Sequence, residues 1–447
     1  MRSNGLAAFL AQQPLDGEVI GPAHPGYARR RVVWNAMIDR RPGAIVRARS
    51  VEDVRGVVRV AAERGERLAA GGGGPSIPGL STCDDGIVLD LSQLRRIDVD
   101  AAARTVTVEA GALLADIDAA GAQFGLVTPA GVVSHTGVAG LTLGGGMGWL
   151  SRRFGMNVDS LLGAELITAD GRLVRISLEE EPDLFWAIRG GGGNFGVVTS
   201  FRFSMHDVAT VVVGSWRHPI AQAAPVLAAC GELARNGVRE LTLCLTLLRD
   251  ALSVTACWSG DLADADRTLG PYDRLGRPSE RSLTSTRFVD LQRRHDETFA
   301  WGRRYYVKGG YFRELDQRAV EALLAAAASI PNSDTEIYIL QLGGAVADVA
   351  EEDTAFTGRT ANFFWISEAV WDDRADEANC VAWGRAAAAT LAAHSMTGNY
   401  VNEQSDLGRE GVLSAYGESK YQRLARLKAR YDPTNLFRLN QNIKPRV

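Results

Sequence analysis

The stretch Gly71 to Asp85 reads GGGGPSIPGLSTCDD. Four successive glycines after a short apolar run let backbone N–H groups converge on an anion, the concave arrangement that cradles a pyrophosphate. The same four residues also suit a flexible surface turn. A Rossmann fingerprint is excluded, because Ile77 stands where the third glycine of GxGxxG is required.

Upstream, Ser50-Val51-Glu52-Asp53 has the form of a capping box. The spacing of Val51, Val54, Val57, Val58 and Ala61 predicts the apolar face of the helix it would start. Downstream, Gly86–Ser92 and the strictly alternating Thr105–Gly111 read as strands, and a helix begins near Leu113. Ala164–Ile176 reads as a hairpin turning at Asp170-Gly171.

Two further glycine clusters follow. Pro129–Leu150 (PAGVVSHTGVAGLTLGGGMGWL) is a wall of small residues against which a planar ligand could lie; tight packing between backbones explains it equally well. Gly190–Thr199 (GGGGNFGVVT) contains a formal GxGxxG at Gly191, Gly193 and Gly196. A strand-like run follows it where a dinucleotide fold needs a helix N-terminus, so the match is accidental.

After Phe203 the texture changes to strands near 211–216, 241–248, 253–258 and 336–342, separated by alanine-rich helices near 221–235, 318–328 and 376–393. This is an α+β pattern, an antiparallel sheet covered on one face by helices. A last helix near 418–431 ends at Asp432-Pro433. No internal repeat is visible, and 260–285 is the longest loose stretch.

Of 447 residues, 48 are glycine, about one in nine against a usual share of roughly 7%. A net charge of −4 without a basic stripe argues against a nucleic-acid partner. Cys83, Cys230, Cys244, Cys257 and Cys380 show no CxxC spacing, so neither a zinc site nor a disulfide framework is expected. No run approaches the roughly 18 apolar residues of a membrane span. The first residues lack a convincing export signal, and a cytoplasmic location is the expectation.

Taken in order with WNAMIDRRPGAIVRARSVEDV (Trp34–Val54), DLFWAIRGGGGNFGVVTSF (Asp183–Phe201) and YDPTNLFRLNQNI (Tyr431–Ile443), the three clusters resemble the berberine bridge enzyme-like proteins. These belong to the vanillyl-alcohol oxidase superfamily of FAD enzymes. The resemblance implies a PCMH-type FAD-binding unit from residues 1–205 and 396–447, and an antiparallel-sheet substrate unit from 206–395. By that likeness Gly71, Gly72, Gly73, Gly74, Pro75 and Ser76 would hold the pyrophosphate. The wall Gly131, Ser134, His135, Thr136, Gly137, Gly140, Leu141 and Gly148 would line the flavin. Gly196, Val197 and Val198 would hold the adenine, and Tyr400, Asn402, Asn440 and Asn442 would return beside the ring.

Two positions depart from the family pattern. Pro75 stands where relatives carry the histidine bonded to the flavin 8α carbon, and Val133 where doubly linked members carry a cysteine. Proline has no nucleophile, so the implied FAD is non-covalent. His135, two residues beyond Val133, is either a group beside the flavin or a loop histidine satisfied by backbone. Glu403 follows Tyr400-Val401-Asn402 where relatives bring a catalytic side chain. It is a candidate base and equally a candidate loop-edge residue, with Tyr400 and Tyr306 as further catalytic candidates. In the strand 361–371, Phe364 and Ile366, or alternatively Trp365 and Ser367, would face the ring.

The reaction implied is oxidation of a small organic substrate, with oxygen as electron acceptor, in natural-product tailoring. The alternative is a non-redox cyclase or isomerase with FAD structural or absent.

Overall fold

The computed structural model describes residues 2–74 and 76–446, and side chains from residue 5 onward. Pro75 lies outside the described residues.

The first sheet orders Glu18–Ile20, Ala44–Arg47, Ile87–Asp90 and Leu68–Gly71. Its last three strands are parallel and its first antiparallel. Parallel neighbours need a crossover, and the helix Val51–Arg64 supplies one. Its capping box forms as expected: Ser50 Oγ accepts from Asp53 N at 3.1 Å, while the Asp53 carboxylate accepts from Ser50 N at 3.2 Å. Gly65, left-handed at φ 65°, ends the helix. Val54, Val57, Val58 and Ala61 are fully buried.

A second, antiparallel sheet orders Ile97–Asp100, Thr105–Glu109, Val197–Ser204, Leu161–Ile167 and Leu173–Ser177. The Val51–Arg64 helix also packs on this sheet, so a single core joins the two. The third glycine cluster runs directly into the strand Val197–Ser204, as the accidental reading of its GxGxxG requires.

The third sheet is antiparallel and seven-stranded. Its order is Glu280–Arg287, Thr210–Pro219, Ala251–Trp258, Leu241–Leu247, Glu336–Gln341, Phe363–Trp371 and Arg304–Phe312. The helices Ala223–Arg235, Gln317–Ala327 and Glu377–Ala392 cover one face. The other face carries a separate cluster that includes Tyr338, Phe364, Ile366 and Tyr400. The edge strand Glu280–Arg287 falls in the stretch read above as loose. Its residues are almost all exposed and polar, so no burial pattern marked it.

The C-terminal segment is tied back onto the glycine clusters. The helix Gly408–Tyr431 breaks at Gly417 (φ 69°, ψ 161°), so its regular part starts where the sequence suggested. It ends at Asp432, whose carboxylate accepts from Leu436 N and Phe437 N. Asn194, in the third cluster, donates to Gln441 O at 3.1 Å and accepts from Ile443 N at 2.9 Å. The buried Lys428 ammonium donates to Asn194 O and Phe437 O. All five cysteines are buried and free.

Candidate active site

A cavity of about 370 Å³ runs between the glycine clusters and the open face of the third sheet. Its floor is backbone. At Gly74 a Cβ would lie 2.0 Å from the Gly137 nitrogen, and at Gly72 it would lie 2.8 Å from the Ala110 carbonyl oxygen. The first and second clusters can meet only as glycine. At Gly140 and Gly193, by contrast, a Cβ would meet nothing within 4 Å. Those two glycines face open space, so close packing between backbones accounts for one group of glycines and not for the other.

Sixteen of the residues implied by the resemblance line this cavity: Gly71, Gly72, Gly74, Ser76, Gly131, His135, Thr136, Gly137, Gly140, Leu141, Gly196, Val197, Val198, Tyr400, Asn402 and Asn440. The C-terminal strap reaches the second cluster through Asn402, which donates to Gly140 O at 3.1 Å and Leu141 O at 3.3 Å. The Tyr400 hydroxyl accepts from Gly146 N at 2.9 Å, and burial pushes its pKa up. Asn440 donates to Gly193 O at 3.1 Å.

Other implied residues lie elsewhere. Gly73 does not line the cavity; it turns at φ 84°, with its Cβ direction against Ser92. Gly148 packs backbone to backbone, 2.3 Å from its would-be Cβ to Ala130 O. Ser134 points away, donating to Asp296 through N at 2.9 Å and Oγ at 2.6 Å. Asn442 is outside the lining, and its buried Oδ1 lacks a partner among the described residues. Tyr306 is a clear correction. It belongs to the helix-covered face, donating to Asp406 at 2.8 Å and accepting from Arg385 at 3.1 Å. Strand alternation puts it opposite the cavity.

Among the described residues the buried His135 Nε2 has no hydrogen-bond partner, while Nδ1 stands 3.9 Å from Asp296. Burial lowers its pKa, so the neutral imidazole is favoured.

The sheet forms the roof. Phe364, Ile366 and Glu368 line the cavity from Phe363–Trp371, and Tyr338 and Leu340 from Glu336–Gln341. Trp365 and Ser367 face the helices instead: the Trp365 ring sits in the helix-side core, and Ser367 donates to Gly384 O. The first of the two facings considered is therefore the observed one.

Glu368 was missed by the sequence reading. It is 2% exposed, and its Oε2 has no hydrogen-bond partner among the described residues. Period-two alternation beyond Phe364 and Ile366 was the signal that could have found it. Glu336 lies directly across from it in register. Glu403 enters from the strap, its N–H donating to Tyr400 O at 3.1 Å, with Ser405 N donating to Val307 O at 2.9 Å on the sheet's edge strand. Burial raises the pKa of Glu403 and of Glu336 to about 7. Glu368 is raised well above the ordinary range, first by burial and then by Glu336 and Glu403. Glu368 and Glu403 thus line the cavity with Glu336 beside Glu368 in register, and only some of the three can be ionised near neutrality.

Comparison with known proteins bears on this geometry. The FAD binding domain family matches residues 42–177, and the berberine and berberine-like family matches residues 399–444. An FAD-linked oxidoreductase of Dictyostelium discoideum is 32% identical over 416 residues, 92% of this chain and 91% of that one. The chain belongs to the berberine bridge enzyme-like FAD-linked oxidoreductases. The (R)-6-hydroxynicotine oxidase of Paenarthrobacter nicotinovorans is 30% identical over 99% of both chains. The structure of BBE-like 1 from Physcomitrella patens shares the fold, with a TM-score of 0.90 at 23% identity over 99% of each chain.

The fold is therefore the PCMH-type FAD-binding architecture with a helix-covered antiparallel sheet. The residues present fit FAD. Open glycine backbone at Gly140 and Gly193 leaves room for a flat ligand, and the buried, unpaired His135 Nε2 and Asn440 Oδ1 are polar groups at the cavity that need a partner. Among the described residues no group of histidine, cysteine and carboxylate side chains could hold a metal ion, and no helix is long and apolar enough to cross a membrane.

Proposed function

We propose that this oxidoreductase dehydrogenates a small organic substrate with non-covalently held FAD, passing the electrons to oxygen, in natural-product tailoring in the cytoplasm. The observation that carries the reading is the meeting, in one cavity, of a backbone-lined floor with the buried Glu368 of the roof and Glu403 of the C-terminal strap. Pro75 and Val133 at the two attachment positions support the non-covalent link, since neither side chain can form the bond.

FAD, when bound, supplies the two-electron acceptor. Around it Gly71–Ser76 would hold the pyrophosphate and Gly196–Val198 the adenine. Phe364, Ile366 and Leu340 exclude water from the substrate side. Glu403 is the candidate base, taking the proton from the substrate's O–H or N–H at its carboxylate. A pKa of about 7 lets it hold or release that proton near neutrality. Tyr400, its hydroxyl already accepting from Gly146 N and Asn402 Nδ2 at 2.9 Å, is free to donate to the substrate.

Visible absorption of the purified protein, followed by acid precipitation, tests the cofactor. Yellow colour should pass into the supernatant; colour retained in the pellet would refute the non-covalent link. Added FAD should also raise the melting temperature in proportion to occupancy. Anaerobic mixing with candidate substrates tests the redox role. A flavin that no substrate bleaches would favour a non-redox rearrangement.

A further inference from the structure

The two positions where relatives tether the flavin mark one end of the cavity. Val133, at one of them, is in the lining, and Ile77, two residues beyond Pro75 at the other, is in it too. A separate small core closes this end. Trp34, Tyr305 and Val370 form it, and Ile77 and Phe299 pack against it. Trp34 and Phe299 both line the cavity. The buried Trp34 indole stacks on Tyr305 with ring centroids 3.8 Å apart, and its N–H donates to Phe299 O at 2.9 Å.

These pieces come from distant parts of the chain, and two polar side chains lock them together. The buried Asn35 donates to Ile77 O and Tyr305 O, both at 2.9 Å, and accepts from Tyr305 N at 3.1 Å. One amide thus joins the first glycine loop to the strand Arg304–Phe312. Asp296 accepts from Ser134 N and Ser134 Oγ. It fixes the loop that carries Val133 to the segment that carries Phe299. The polar atoms of Trp34, Asn35 and Asp296 are spent on protein partners, so the surface that Trp34, Ile77 and Phe299 offer the cavity is apolar.

The flavin edge that bears the attachment carbon is a methyl-substituted benzene ring with no hydrogen-bonding group. A tether holds such an edge whatever packs around it. Without one, burial against apolar side chains is the force that remains, and it is strongest where those side chains are already held in place.

We infer that Trp34, Ile77 and Phe299 form a clamp that grips the methylated edge of an untethered flavin, with Asn35 and Asp296 as the positioning residues that keep it closed. This rests on the non-covalent reading of FAD and goes beyond it to the device that retains the ring.

Two cofactors that differ only at that edge test the clamp: FAD and its 7,8-didemethyl analogue. Each is titrated into the full-length protein after dialysis against concentrated bromide has removed bound flavin, with quenching of flavin fluorescence as the readout. The parent should bind FAD about tenfold more tightly than the analogue, the effect of burying two methyl groups. In Phe299→Ala and in Trp34→Phe that preference should narrow to near parity. Asp296→Asn should narrow it less, and Glu297→Gln, exposed on the same turn, should leave it unchanged. The ratio is internal to each protein, so a general loosening that weakens both ligands alike does not imitate the result. Equal binding of the two cofactors by the parent overturns the inference, as does a preference that survives in both Phe299→Ala and Trp34→Phe. Colour that stays in the acid pellet of the parent and leaves it in His135→Ala would make a bond to His135 the anchor and overturn clamp and non-covalent reading together. A parent that binds neither cofactor would sink the FAD reading itself, whereas one that binds both reversibly without preference would sink the clamp alone.

Discussion

The floor and the roof of the cavity are built on opposite plans. The floor presents main chain, packed so closely that a Cβ at Gly74 would fall 2.0 Å from the Gly137 nitrogen. The roof presents side chains, aromatic and acidic, standing off a sheet whose backbone groups are already paired. A main-chain surface recognises what it binds by shape and by N–H direction and tolerates almost no substitution. A side-chain surface recognises charge and polarity and can change residue by residue without losing the fold. One molecule thus holds a constant cofactor platform against an adaptable substrate wall.

The contrast predicts effects of different size and kind. Gly74→Ala should abolish FAD retention, because the added methyl must separate the first cluster from the second. Visible absorbance per protein reads this out, and retained flavin would show the two clusters are not rigidly joined. Glu403→Gln, on the roof side, should keep FAD and slow anaerobic flavin reduction by about a hundred- to ten-thousandfold. A variant that reduces at the parent rate would return Glu403 to the rank of a loop residue and leave Tyr400 as the candidate.

Gly140→Ala is a subtler probe of the floor. Its Cβ meets nothing within 4 Å, and Gly140 lies in the helix Val138–Gly144, where alanine is the better helix former. The cofactor-free protein should be as stable as the parent or slightly more so, while FAD affinity drops about tenfold. Unchanged affinity would mean that the flavin does not approach this wall.

The smallest effect concerns a carboxylate outside the cavity. Asp118 is buried beneath Gln292, and burial raises its pKa from 3.8 to about 7. A folded-state pKa above the unfolded value means that its contribution is full below about pH 4 and is lost as pH rises through about 7. Asp118→Asn should therefore flatten the fall of melting temperature between these limits, by on the order of a few degrees at the upper end. An unchanged slope would locate the pH dependence in the roof carboxylates instead.

The sequence by itself determined the parts governed by local rules. The capping box at Ser50 and Asp53, the hairpin at Asp170-Gly171 and the helix end at Asp432 all depend on neighbours a few residues away, and all formed where expected. Glycine clusters were equally visible, because no other residue permits that backbone approach. Glu403 was found by its position after Tyr400 and Asn402. Glu368 was not, although alternation placed it on the same face as Phe364 and Ile366. Its meaning comes from Glu336 across the strand and Glu403 from a segment 35 positions later, an encounter that no local pattern encodes. Tyr306 shows the converse: an attractive residue type on the wrong face of its strand. The tertiary structure alone decided which glycines touch backbone and which face open space. It also decided which carboxylates share one low-dielectric corner, because both depend on distances between segments far apart in the chain and not on the residues themselves.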